Sequence, residues 1–145
     1  MPCHTSFARP RAVCRCRQTG SYRPDVSPAH SNSESVAEAL DALDRGVEPG
    51  RPLLRDAVRA LLAELSQRAP GRSVEVRIPP FGAIQCVAGP RHTRGTPPNV
   101  VETDAKTWLL VATGRLDWSE AVRDGRLRAS GVRTDLSEFL PLTGG

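Results

Sequence analysis

The chain has 145 residues, 39% of them hydrophobic and 25% charged, and its formal net charge is +4. Residues 1–32 hold five arginines against one acid, and the rest of the chain balances fifteen basic residues with fifteen acidic ones; without a localised cationic surplus in the body, nucleic acid is not an expected partner. No apolar run approaches the roughly 20 residues of a membrane span, and the first thirty residues contain no signal-peptide core, so a soluble, cytoplasmic, single-domain protein is expected.

Residues 1–32 are dense in Arg, Ser and Pro and carry no apolar periodicity. Such a segment cannot bury enough surface to offset the entropy of ordering, which predicts a disordered extension ahead of a folded unit over 33–145. Cys3, Cys14 and Cys16 lie in it beside His4, but Cys-x-Cys is not the paired CxxC spacing of a zinc knuckle, and no metal site is expected. Its Arg-rich, acid-poor composition resembles a transit peptide, which sits badly with a bacterial origin, and an accidental extension from an upstream start codon is the preferred expectation. Nineteen of the twenty basic residues are arginine, Lys106 being the exception; we read this as the codon usage of a GC-rich, bacterial genome.

The first helix is predicted from Ser35, where Ser35-Val-Ala-Glu38 has the capping-box pattern. Val36, Leu40 and Leu43 follow at helical spacing, and Gly46 is placed to end the helix. Pro52 suits the first position of a second helix, whose Leu54, Val58, Leu61, Leu62 and Leu65 form one apolar stripe. Val74, Val76 and Ile78 alternate with Glu75 and Arg77 as in a half-buried strand. Pro79-Pro80-Phe81-Gly82 turns the chain, and AIQCVA reads as the antiparallel return. Within that strand the lone Cys86 is expected to be a small buried hydrophobe. Residues 89–99 form a loop, and NVVET supplies a third strand.

Asp104 is an N-cap ahead of a helix that is apolar all round from Trp108 to Ala112. Three glycines then punctuate the chain. Gly114 and Gly125 are each followed by Arg-Leu and are read as two helix exits. Between them Asp117 caps a helix of barely two turns, with Leu116 placed to staple against Ala121. Arg126–Ser130 reads as a strand with Leu127 and Ala129 inward, released by Gly131. A last short helix is capped by Asp135 and ended by Pro141.

This succession of Gly114-Arg-Leu, a short helix, Gly125-Arg-Leu-Arg and Gly131 resembles the C-terminal signature of sterol carrier protein type 2 domains. Over residues 35–142 the chain looks like the small actinobacterial members of the sterol carrier family. The resemblance implies an α/β (α+β) fold in which a twisted, largely antiparallel sheet is covered on one face by helices. It also implies an apolar cavity between the layers for a small lipid, fatty acyl or sterol-like ligand, with no cofactor and no catalysis. A similar domain forms the C-terminal part of mycothiol-dependent maleylpyruvate isomerases, whose metal and thiol chemistry belongs to another domain. The chain departs from the animal members by stopping soon after Leu142, without their long closing helix, so a small or collapsed pocket stands beside a complete tunnel among the expectations. The final Leu-Thr-Gly-Gly is no peroxisomal address.

On that resemblance, Phe81, Ile84, Trp108, Leu109, Ala112, Leu116, Trp118, Val122 and Leu127 are the side chains expected around a cavity. The same residues would serve equally as a filled core. Arg91, His92 and Arg94 are the candidates for holding a ligand head group, through guanidinium and imidazole donors beside Gly95; the alternative is a solvated turn with arginines paired to acids such as Glu102. No catalytic constellation stands out: His92 with Thr93, Thr96 and Glu102 is the sole candidate. A carrier of an apolar ligand is therefore the primary expectation. The alternative is a protein-interaction module that keeps the fold without a cavity, its protein partner left open.

Overall fold

A computed structural model describes residues 32–90 and 99–142. Two helices come first, α1 (Asn32–Asp44) and α2 (Arg51–Arg68). Strands β1 (Val74–Ile78), β2 (Gly82–Cys86) and β3 (Val100–Thr103) follow, then helices α3 (Ala105–Ala112) and α4 (Trp118–Arg123), strand β4 (Leu127–Ser130) and one 3-10 turn, Ser137–Phe139. The extension with Cys3, Cys14, Cys16, His4 and His30 lies outside the described residues.

The strands form one sheet in the order β2-β1-β3-β4. Pairing is antiparallel at β1/β2 and β3/β4 and parallel at β1/β3, so the sheet is mostly antiparallel, as the resemblance implies. Strand alternation sorts its two faces. Val74, Val76, Ile78, Cys86, Val101 and Leu127 are buried against the helices, whereas Glu75, Arg77 and Glu102 remain half-buried on the other side. Over the inner face lies the α2 stripe of Val58, Leu61, Leu62 and Leu65, continuous with Trp108, Leu109, Val111 and Ala112 of α3. Helix α3 is enclosed as its all-round apolar sequence requires. This is an α+β architecture with helices on one face.

The glycine exits are observed as read. At Gly114 (φ +75°) the Gly114 N–H donates to Val111 O (3.1 Å) and the Arg115 N–H to Leu110 O (2.8 Å). Gly125 (φ +70°) repeats the pattern, donating to Val122 O (3.1 Å) while Arg126 donates to Ala121 O (3.0 Å). Both are Schellman closures, which need a left-handed residue where a side chain would be strained.

Four local readings need correction. Helix α1 begins at Asn32, so Ser35 is not a cap but a buried residue of the first turn. Pro52 takes the second position of α2, behind Arg51. Ala129 stands on the same side of β4 as Leu127 yet is exposed, because six-residue α4 is too short to cover the whole edge strand. The last helix is a single 3-10 turn; Asp135 does accept the Ser137 N–H (3.0 Å), but Pro141 lies past the turn. Beyond it the chain is tied down by Leu142 N–H to Ala112 O (2.7 Å) and by the Arg68 guanidinium to the Leu142 carbonyl (2.8 Å).

Candidate functional site

Where α4 fails to cover β4, a groove opens. One wall is α4 itself, with Trp118, Ser119, Val122 and Arg123; Ala129 lies at the floor, and Thr134 with Asp135 forms the far wall. Its volume is about 400 Å³, inside the range of roughly 300–1,000 Å³ typical of small-molecule sites.

Each wall is held by local chemistry. Helix α4 starts at Asp117, whose Oδ1 accepts the N–H groups of Ser119 (2.8 Å) and Glu120 (3.2 Å), and it ends at Gly125. That short run turns Trp118 almost wholly into the core cluster, at 8% exposure, and leaves Val122 at 38%. The far wall depends on Asn99, which is buried. Its Nδ2 donates to Ser73 O (2.9 Å) and its Oδ1 accepts the Arg133 N–H (3.2 Å), joining the start of β1 to the segment after β4. The Thr134 hydroxyl donates to Gly131 O (3.1 Å). Hydrogen bonds from the Ser137 hydroxyl and N–H hold the Asp135 carboxyl below its ordinary range. The groove therefore presents an apolar floor and inner wall, with Arg123 and Asp135 as charges at its margins.

A second groove of about 380 Å³ lies on the other side of β4, lined by Pro79, Glu102, Thr103, Asp104, Gly125, Arg126 and Arg128. It is predominantly polar. The two grooves stand back to back because Arg126 and Arg128 alternate with Leu127 and Ala129 along the chain.

Of the nine side chains expected around a cavity, Trp118 and Val122 line the first groove. Trp108, Leu109, Ala112 and Leu127 lie in the hydrophobic core, none above 1% exposure, while Phe81, Ile84 and Leu116 are partly buried against it. Arg91, His92 and Arg94, with the Thr93 and Thr96 considered beside them, lie outside the described residues. Glu102 lines the second groove. Cys86 is buried, and burial pushes its thiol up to about 11, so it stays protonated at neutral pH.

Ala129, Thr134, Asp135 and the brace Asn99 were not read from the sequence as parts of a site; Ala129 was read there as an inward strand residue and Asp135 as a helix cap. Ala129 carried a usable signal, since alternation put it on the inner side. Thr134 and Asp135 bond within their own turn, to Gly131 and Ser137, and Asn99 takes its bracing role from Ser73 and Arg133, 26 and 34 residues away, so no local pattern marks them as parts of a groove.

No helix among the described residues is long and apolar enough to cross a membrane. Compared with models of known families, residues 50–142 match one described as bacterial SCP ortholog. That span runs from the start of α2 to the strapped segment at Leu142. No curated protein matches the chain.

Proposed function

The chain belongs to the bacterial SCP ortholog family, and from that premise we propose that it is a non-catalytic, cytoplasmic binder of an apolar ligand, a lipid, fatty acyl or sterol-like molecule, taken up at the groove between α4 and β4. The observation that carries the reading is the floor of that groove. Ala129 belongs to the inner, helix-covered side of the sheet, yet it is open beside Trp118 and Val122. A gap in the helical layer is where an apolar molecule can add to the layer with little rearrangement, replacing water over apolar surface at roughly 25 cal/mol per Å².

The test has two arms. Organic extraction of the purified protein followed by mass spectrometry is expected to release a bound lipid, and a fluorescent fatty acid is expected to bind. Val122→Asp should weaken the fluorescent probe by roughly tenfold or more, since a carboxylate in an apolar contact must be desolvated without a partner. Its thermal midpoint should stay near that of the parent, because Val122 is already partly exposed. An empty extract together with no probe binding sinks the reading.

A second reading draws on a different observation. Trp108, Leu109, Ala112 and Leu127 have no exposure beyond 1%, as in a core that has closed over its cavity. A protein-interaction module of this fold would present the same α4–β4 groove to a peptide. An empty extract with retained capture of a defined protein partner would favour it.

A further inference from the structure

We propose that the polar groove beside β4 is a second binding site, and that it takes a small zwitterion, a molecule carrying an ammonium group and a phosphate or carboxylate. This does not depend on the apolar-ligand reading, which concerns the opposite side of the strand.

The site follows from strand register. Glu102 on β3 lies directly across from Arg128 on β4, and Thr103 across from Leu127. One step further along the same ladder Asp104 faces Arg126, where the Thr103 hydroxyl donates to Arg126 O (2.8 Å). Alternation puts the four charged side chains on one side of the two strands. All four line the groove, and Pro79, Thr103 and Gly125 complete it. One wall is therefore acidic and the other basic.

Opposite charges at facing positions ordinarily attract across a sheet. Here neither couple closes: among the described residues no ion pair joins Glu102 to Arg128 or Asp104 to Arg126. The acids are engaged elsewhere. Asp104 gives both carboxylate oxygens to Thr107 (3.0 and 2.6 Å). Glu102 stands in the field of Arg77, its register partner on β1, which itself bonds Glu75. A space of about 380 Å³ remains between the walls.

Two acids against two bases leave the lining neutral, and that selects the ligand. A plain anion drawn to the arginines meets Glu102, and a plain cation drawn to Glu102 meets the arginines. A zwitterion is attracted at both ends, its phosphate or carboxylate by the forked guanidiniums and its ammonium by Glu102. The two arginines start roughly 7 Å apart along the strand, a spacing from which long side chains can converge on one anionic group. Apart from Pro79 the lining is polar or glycine, so an acyl chain has little to lie against.

The probe is O-phosphoethanolamine, set against its halves, inorganic phosphate and ethanolamine. In nitrogen-15 NMR of the full chain it should shift the backbone amides of residues 102–104 and 126–128, and bind more tightly than either half. Arg128→Gln should weaken it roughly 3- to 10-fold, the range between an exposed and a desolvated charge pair. Glu102→Gln should weaken it by a similar factor while strengthening the binding of inorganic phosphate. If either variant fails to fold, Arg126→Gln repeats the test from the basic wall. The same group occurs as a lipid head group, so sedimentation with vesicles containing phosphatidylethanolamine separates the sources. Capture that the free compound competes away assigns the head group, and no capture assigns the soluble molecule. A probe that binds no better than phosphate, an affinity unchanged in Arg128→Gln, or shifts confined to other parts of the chain would overturn the site. None of these results bears on the apolar groove, which lipid extraction tests separately.

Discussion

Asp104 sets the start of α3 with both carboxylate oxygens: Oδ1 accepts the Thr107 N–H (3.0 Å) and Oδ2 the Thr107 hydroxyl (2.6 Å). Burial pulls its carboxyl upward, but the hydrogen bonds from Thr107, together with the backbone N–H groups of Lys106 and Asp104, outweigh that pull and leave it below the ordinary carboxylate range. A carboxyl depressed in the folded state binds its proton more weakly there than in the unfolded chain, so its stabilisation is complete above the unfolded value of about 4 and lost as pH falls through the folded one. Asp104→Ala should cost about 1 kcal/mol at pH 7. Urea unfolding should show that part of this difference shrinks in acid, below about pH 4; a difference of constant size down to pH 2 would contradict the assigned cause. Caps of this kind are legible in a sequence because donor and acceptor lie three residues apart. Ser35 shows the limit: several small polar residues precede the first apolar one, and the helix extends back to Asn32 with Ser35 buried in its first turn.

Between elements, Gly114 and Gly125 look alike in sequence and in backbone angle but differ in what surrounds them. An added Cβ at Gly125 would meet nothing within 4 Å, whereas at Gly114 it would sit 3.2 Å from Pro141 Cβ. Gly125→Ala should therefore cost only the left-handed strain, about 1–2 kcal/mol. Gly114→Ala should cost more, because the segment held by Arg68 and Ala112 must also give way. Denaturant midpoints of the two variants check the order, and equal losses would contradict it. The helices, their exits and the inward-facing strand residues were readable from period and punctuation. The parallel pairing of β1 with β3 was not, since alternation identifies faces and says nothing of neighbours. Nor was the exposure of Ala129, which depends on how far α4 reaches over β4.

At the scale of the molecule, one helical layer covers one sheet face except along the β4 edge, and the family match spans α2, α3, α4, the sheet and the gap, with α1 ahead of it. The resemblance carried by Gly114, Gly125 and Gly131 anticipated the layers. It placed nine residues around a cavity of which only Trp118 and Val122 line the groove, because an apolar stripe reads identically whether it fills a core or borders a void. The most direct measurement is photocrosslinking with a diazirine-bearing fatty acid, followed by peptide mapping. Adducts concentrated between Trp118 and Asp135, and suppressed by unlabelled palmitate, are the predicted result. Competed labelling confined to other parts of the chain, or labelling that palmitate does not suppress, would contradict it.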